Sequence, residues 1–163
     1  MNIFYIDRNI VKCAQAHIDK HVNKMILEGA QLLASAHHLT NPEASTIPDM
    51  YRLTHKNHPD AIWVRSSINH YLYLMDLMEA LNEECQYRYE HRKIHASLSK
   101  VQSWPFPKLP DVKFIEPPKC VHDDWKQVPD TVEAYRSYYK RDKRDIASWT
   151  KRSPPDWYYN EKL

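Results

Sequence analysis

Hydrophobic residues recur at steps of three and four along most of this chain, which is the spacing of α-helices. The pattern predicts a long first helix over residues 10–38, ended by the TNP string at residues 40–42. Pro59 has the φ angle favoured at the first position of a helix, so a second long helix is predicted over residues 59–91. Both carry enough apolar positions to pack against each other.

Shorter elements surround these two helices. The apolar residues 3–6 predict an extended opening segment, and short helices are predicted around residues 50–54 and 93–101. Asp130 with Glu133 has the spacing of a capping box, which predicts the start of a final helix.

Prolines dominate residues 103–129, so we expect a long irregular crossover there, followed by the final helix and an aromatic C-terminal tail. The sequence predicts an all-α fold: a compact bundle of two long helices with shorter helices, in a single helical domain over residues 1–163.

Within the first predicted helix, two different faces form at helical spacing. A face built only for solvent usually mixes acids, lysines and serines, whereas this polar face gathers imidazoles and ammonium groups around one carboxylate. It therefore suits proton transfer or an anionic ligand, although a solvated stripe with an ion pair between Lys24 and Glu28 is an alternative. The polar face comprises His17, Lys20, His21, Lys24, Glu28 and Gln31, and the apolar face comprises Ile18, Val22, Met25, Gly29 and Leu32.

Composition narrows the classes of function. The chain has 163 residues and a formal net charge of +2, and Gly29 is its only glycine. Phosphate-binding loops of the Walker and dinucleotide types need several glycines, so both are excluded.

The three cysteines form no CxxC pair, which favours free thiols in a reducing compartment. With no apolar run long enough for a bilayer, we expect a cytoplasmic protein without membrane contact.

Two further groups of residues combine cations with aromatic rings, as nucleic-acid ligands require. A structural role is the alternative for both groups: His58 would cap a helix, Trp63 would fill the core, and nearby acidic residues would offset the charge of the C-terminal cations. The first group surrounds the KNHP string and contains Lys56, Asn57, His58, Trp63, Arg65 and Asn69. The second lies in the C-terminal third and contains Arg136, Lys140, Arg144, Trp157 and Tyr158.

Several strings carry a family resemblance. The opening NIFYID, the string THKNHPDAIWVR, the helix end EECQYRYEHR and the tail DWYYN occur in this order. Together they resemble the pyrimidine-dimer DNA glycosylases of the phage endonuclease V type. The chain is also similar to an uncharacterised group of phage proteins that carry DKH, KNHP and RY strings.

The resemblance implies an all-helical protein in which an amine attacks the sugar C1′ of a damaged nucleotide and a helix carboxylate assists. The resulting imine allows strand cleavage, and no cofactor or metal is needed. The family uses the amine of the residue after the initiator methionine, but Asn2 is large enough for Met1 to be retained. We therefore expect Lys20 or Lys24 to be the nucleophile, Glu28 the carboxylate and His21 a neighbouring catalytic group, in a cationic, imidazole-lined groove where the first helix meets the KNHP turn.

Three other functions fit the same residues. The surface could bind and sequester a nucleotide without catalysis, so the expected partner is DNA or a nucleotide. His17 and His21, with Glu28, have a spacing that a metal-dependent phosphodiesterase could use. A purely structural helical partner protein would bind no nucleic acid at moderate salt.

Overall fold

The structure is a computed structural model that describes residues 1–159. These residues form helices and irregular segments with no β-strand, which confirms the predicted all-α class. None of the described helices is both long enough and apolar enough to cross a membrane. The helices are α1 (Ile10–Ala16), α2 (Asp19–Val22), α3 (Lys24–Thr40), α4 (Pro59–Ser66), α5 (Ile68–Tyr89), α6 (Ala96–Ser103), α7 (Asp123–Lys126), α8 (Thr131–Asp142) and α9 (Asp156–Tyr159), with 3₁₀ turns at Ala44–Thr46 and Arg144–Ile146.

The prediction of one continuous helix over residues 10–38 is wrong. The backbone leaves helical geometry at His17 and Ile18, whose ψ angles are 134° and 155°. A distant segment satisfies the backbone groups that this break exposes: Trp149 Nε1 donates to Ala16 O at 2.9 Å, and Asp19 N donates to Ser148 O at 2.9 Å. Because these partners lie about 130 residues away in sequence, local periodicity could not reveal the break.

The second predicted helix is also interrupted. Ser67 is extended, with φ −157° and ψ 144°, and separates α4 from α5. Its hydroxyl donates to Val112 O at 2.7 Å and accepts from Asn69 N at 3.1 Å. The proline-rich crossover thus stabilises the junction between α4 and α5. The start at Pro59 is confirmed.

Among the shorter elements, the predicted N-cap is confirmed, because the Asp130 side chain accepts from Glu133 N at 3.0 Å and caps α8, while the Glu133 side chain pairs with Arg136. The helix predicted over residues 50–54 is wrong, since that segment has no regular structure. The crossover over residues 103–129 is irregular, as expected, apart from the single turn of α7.

The opening segment lies inside the core and positions the start of the chain. Ile3, Phe4, Tyr5 and Ile6 are at most 4% exposed. Side chains bind its backbone: Ile3 N donates to Asp60 Oδ2 at 3.1 Å, and Arg136 Nε donates to Ile6 O at 3.0 Å. These bonds replace the sheet partners that an extended segment would otherwise need. The opening segment is thereby fastened to α4 and α8.

Gly29 marks the close approach of α3 and α5. A Cβ atom built on Gly29 would lie 2.8 Å from Met78 Sδ and 2.9 Å from Met78 Cγ, in a side chain that is fully buried. This contact is too short for any larger residue unless Met78 moves. The glycine therefore serves the packing of the two long helices.

Candidate functional site

Glu28 on α3 lies at the centre of a cluster of amines at the start of the chain. Lys24 Nζ is 3.4 Å from Glu28 Oε1, and the Met1 amine is 3.8 Å from Glu28 Oε2. Asn2 N also donates to Glu28 Oε2, at 3.2 Å. The Glu28 side chain is only 14% exposed, whereas that of Lys24 is 64% exposed. The shielded Glu28 carboxylate thus forms an ion pair with one amine at each of its two oxygens.

The N-terminus of α4 forms the other side of this cluster. His58 is the N-cap residue, and its Nδ1 accepts a hydrogen bond from Asp60 N at 3.2 Å. The same Nδ1 lies 3.8 Å from Asp60 Oδ2, the oxygen that accepts from Ile3 N. Asp60 is fully buried, and within residues 1–159 its Oδ1 has no hydrogen-bond partner.

Cys120 brings the proline-rich crossover to the same place. Its backbone is tightly held, because Asn2 Nδ2 donates to Cys120 O at 2.7 Å and Cys120 N donates to the Tyr135 hydroxyl at 3.1 Å. A nitrogen of His58, a carboxylate oxygen of Asp60 and the sulfur of Cys120 all lie within 4.8 Å of one another.

Burial dominates the electrostatics of this cluster. Loss of water raises the pKa of Asp60 to about 7, although Cys120, the Ile3 N–H and the chain amine favour the ionised form. Burial also raises the pKa of Cys120 to about 12, and the neighbouring Asp60 adds to that shift. The pKa of His58 is lowered, first by burial and then by the positive charge of the chain amine. The site therefore favours neutral side chains next to the amines.

The structure brings together some of the residues predicted from the first helix. Lys24 and Glu28 meet, and His58 of the KNHP string lies beside the same chain start. Lys20 is exposed on α2, before the helix restarts at α3.

Two of the predicted imidazoles do not line a groove, which corrects that expectation. His17 is fully buried and its Nδ1 is 2.7 Å from Cys13 O. His21 is 7% exposed, stacks on Phe4 at 4.3 Å and lies 2.7 Å from the Tyr139 hydroxyl. The break at His17 and Ile18 separates α1 from α2, so the two rings do not share one continuous helical face. The proposed metal set of His17, His21 and Glu28 is consequently not assembled.

Burial of histidines predicts sensitivity to acid. The pKa values of His17, His21 and His37 are lowered, mainly by burial, to about 4, 3 and 4. Between pH 6.5 and about 4 the unfolded chain binds protons that the folded chain does not bind. The contribution of these histidines to stability is therefore complete above pH 6.5. The free energy of unfolding should fall as the pH falls toward 4. Urea unfolding over this range measures the change.

The variant His21→Gln is the control for this prediction. Glutamine keeps a hydrogen-bonding group near Tyr139 but does not titrate, so its free energy of unfolding should change less steeply with pH. Asp60 has the opposite effect, because its raised pKa makes the folded state bind a proton below about pH 7. Equal slopes for His21→Gln and the wild-type protein would contradict the assignment to His21.

Other predicted residues near the KNHP string support the fold. Trp63 is 5% exposed, stacks on His70 at 4.3 Å and donates to Ile115 O at 3.0 Å. Its ring is therefore covered and not presented to a base, which corrects the expected stacking role. Asn69 donates to Asp111 Oδ1 at 2.9 Å, and so fastens the crossover.

The remaining residues of this group lie nearer the surface. Arg65 Nη1 donates to Lys56 O at 2.7 Å, which braces the turn. The side chains of Lys56 and Asn57 are exposed.

The five C-terminal residues divide between two places. Arg136 donates to Ile6 O and Asp7 Oδ2, and its guanidinium lies 5.3 Å from the centre of the Trp157 ring. Arg136 therefore holds the end of the opening segment, and Trp157 packs beside its guanidinium. The other three residues line an open pocket of about 470 Å³, together with Trp125 and Arg141: they are Lys140, Arg144 and Tyr158.

Sequence reasoning considered the chain amine but replaced it by Lys20 or Lys24, and it missed Asp60 and Cys120. Asp60 directly follows the NHP string, so it was adjacent to a recognised motif. Cys120 carried no local signal, because it meets Asp60 only through the path of the crossover.

No protein family model, no curated protein and no solved structure matches this chain.

Proposed function

We propose that the protein is a DNA glycosylase and abasic-site lyase that uses an amine held at Glu28 as its nucleophile. The observation that supports this proposal is the pair of amines on one shielded carboxylate, Lys24 Nζ at 3.4 Å and the Met1 amine at 3.8 Å. Amines that form imines with sugars need a nearby group that accepts and returns protons. Glu28 is placed to do so for either amine.

The reaction follows from this arrangement. A neutral amine attacks C1′ of the damaged nucleotide, the bond between C1′ and the base breaks, and the base leaves with the bonding electrons. Glu28 takes the proton that the amine loses and returns it as the sugar ring opens, which leaves an imine between C1′ and the amine. Loss of a proton from C2′ then expels the 3′ phosphate and cleaves the strand.

The surface around the amines supports contact with a negatively charged backbone. Lys20, Lys24 and Lys56 are exposed, on α2, on α3 and in the turn before α4. Exposed lysines supply the sequence-independent part of DNA affinity by displacing counterions from phosphates. Access to a base requires that the nucleotide be rotated out of the duplex.

Borohydride trapping tests this proposal. The full chain is incubated with duplex DNA that is untreated, ultraviolet-irradiated or contains an abasic site, and borohydride reduces any imine to a stable bond. We expect a covalent adduct on abasic or irradiated DNA that peptide mapping assigns to residue 1 or Lys24. If Lys24 is the nucleophile, Lys24→Ala should lose the adduct, while the exposed Lys93→Ala keeps it. Absence of an adduct, or an adduct elsewhere, would overturn the proposal.

A second candidate function is binding of a nucleotide without turnover. The pocket of about 470 Å³ between α7, α8 and α9 is within the usual size of small-molecule sites, and Lys140, Arg144 and Tyr158 offer cations and a ring. A panel of cyclic and linear nucleotides, added in the same experiment, distinguishes the two functions. Recovery of an intact, tightly bound nucleotide with no trapped DNA would favour this second function.

A further inference from the structure

We propose that His58, Asp60 and Cys120 form a binding site for a zinc-type divalent cation, beside the amine cluster and independent of the proposed reaction. The three side chains present one nitrogen, one carboxylate oxygen and one sulfur within 4.8 Å of one another. Nitrogen and sulfur ligands with a single carboxylate are typical of Zn²⁺ and not of Mg²⁺ or Ca²⁺.

The distances fit a tetrahedral ion after a small adjustment. Zinc lies about 2.0 to 2.3 Å from such ligands, so its ligand atoms are roughly 3.3 to 3.8 Å apart. His58 Nδ1 and Asp60 Oδ2 are already 3.8 Å apart, and on metal binding Nδ1 would give up the hydrogen bond that it accepts from Asp60 N. The largest separation in the cluster is no more than 4.8 Å, and rotation of the Cys120 side chain can shorten it while hydrogen bonds from Asn2 and to Tyr135 hold its backbone.

Asp60 provides an independent reason to expect a ligand. Its side chain is fully buried, and within residues 1–159 its Oδ1 has no hydrogen bond of normal geometry, although the Cys120 thiol, whose proton a cation would displace, interacts with this carboxylate. A buried carboxylate oxygen without a partner is costly, and a cation would satisfy it. Three protein ligands leave a fourth position for water, as in zinc sites that are not closed by a fourth side chain.

The three ligands come from parts of the chain that are distant in sequence. His58 and Asp60 begin α4, whereas Cys120 lies in the proline-rich crossover. A cation would therefore fasten the crossover to α4, next to the opening segment that Asp60 holds through Ile3 N. Because the ion binds the folded chain and not the unfolded one, it should raise the melting temperature.

Titration with Co²⁺ and Zn²⁺ tests this site. The metal-free full chain should bind one Co²⁺ and show the near-ultraviolet absorption of a thiolate bound to cobalt, and Zn²⁺ should displace it. Cys120→Ser should lose that absorption, whereas the control Cys85→Ser, which changes another buried cysteine, should keep it. Absence of binding, or the same absorption in Cys120→Ser, would overturn the proposal.

A matched pair of helix caps isolates the role of the imidazole. His58 and His95 are both N-cap residues whose Nδ1 accepts from the backbone two residues later. Asparagine also caps helices well, so His58→Asn should keep the helix but weaken Zn²⁺ binding by roughly tenfold or more, while His95→Asn binds as the wild-type protein does.

Alkylation of the unmodified chain avoids any folding defect of the variants. Bound Zn²⁺ should protect Cys120 from an alkylating reagent, as read by mass spectrometry of its peptide. Equal modification of Cys120 with and without Zn²⁺ would refute the site. None of these readouts depends on DNA, so failure of the metal site and failure of the glycosylase proposal are distinguishable.

Discussion

Glu28→Gln is expected to slow imine formation on abasic DNA by about 10²-fold or more, which is the usual loss when a positioned acid–base group is removed. Glutamine has nearly the same shape and keeps one acceptor oxygen, which can face either Lys24 or the chain amine. It cannot accept the proton that the attacking amine loses or return it as the sugar ring opens, so both proton transfers lose their positioned partner. Single-turnover trapping with borohydride, at saturating protein, measures the rate of this step directly.

Glu83→Gln is the matched control, because Glu83 is an exposed glutamate on α5 outside the cluster. Its trapping rate should equal that of the wild-type protein. Thermal unfolding of Glu28→Gln verifies that the chain still folds. A Glu28→Gln protein that is folded and traps DNA at the wild-type rate would exclude Glu28 as the assisting carboxylate.

Arg88→Leu is expected to lower the free energy of unfolding by about 3 to 5 kcal/mol, the range observed when one partner of a buried ion pair is removed. The Arg88 side chain is fully buried on α5. It donates to Glu84 Oε1 at 2.8 Å, to Asp19 Oδ1 at 3.0 Å and to Gln15 O at 2.9 Å. Leucine fills part of the space but leaves Glu84, which is 4% exposed, with less compensating charge.

This network links elements that are far apart in sequence. Arg152 also binds Glu84, at 2.8 Å, and Asp19 accepts from Thr150 N at 2.9 Å, so α2, α5 and the C-terminal segment meet at Arg88. Urea unfolding of Arg88→Leu and of the exposed Arg92→Leu measures the difference. The Arg92 variant should change stability by less than about 0.5 kcal/mol. A loss below about 1 kcal/mol in Arg88→Leu would show that the network contributes little.

Helix positions followed well from local sequence, but helix continuity did not. Pro59 and the N-cap residue Asp130 act within a few residues, and both helix starts were confirmed. The breaks at His17 and Ser67 depend on Ala16 O and the Ser67 hydroxyl finding partners at Trp149 and Val112. Such partners are invisible to a pattern that extends over one or two helical turns.

The candidate site shows the same division. The pair Lys24 and Glu28 is separated by one helical turn, so its meeting was predictable and is present. The faces assigned to His17 and His21 assumed an unbroken helix, and both rings instead entered the core. Reading Trp63 as a stacking ring assumed exposure, whereas its indole N–H finds a carbonyl inside the fold.

By itself the sequence determined the helical class, the start of α4, the capped start of α8 and the carboxylate–lysine pair on α3, because each depends on residues no more than a few positions apart. Only the tertiary structure decided which imidazoles are buried and that Met1, Asp60 and Cys120 lie around the same point as Glu28. The physical reason is that the backbone of the opening segment forms hydrogen bonds with side chains from α4 and α8 and not with neighbours in sequence. These bonds, with the one from Asn2 to Cys120 O, bring the start of the chain, the first turn of α4 and the crossover into contact.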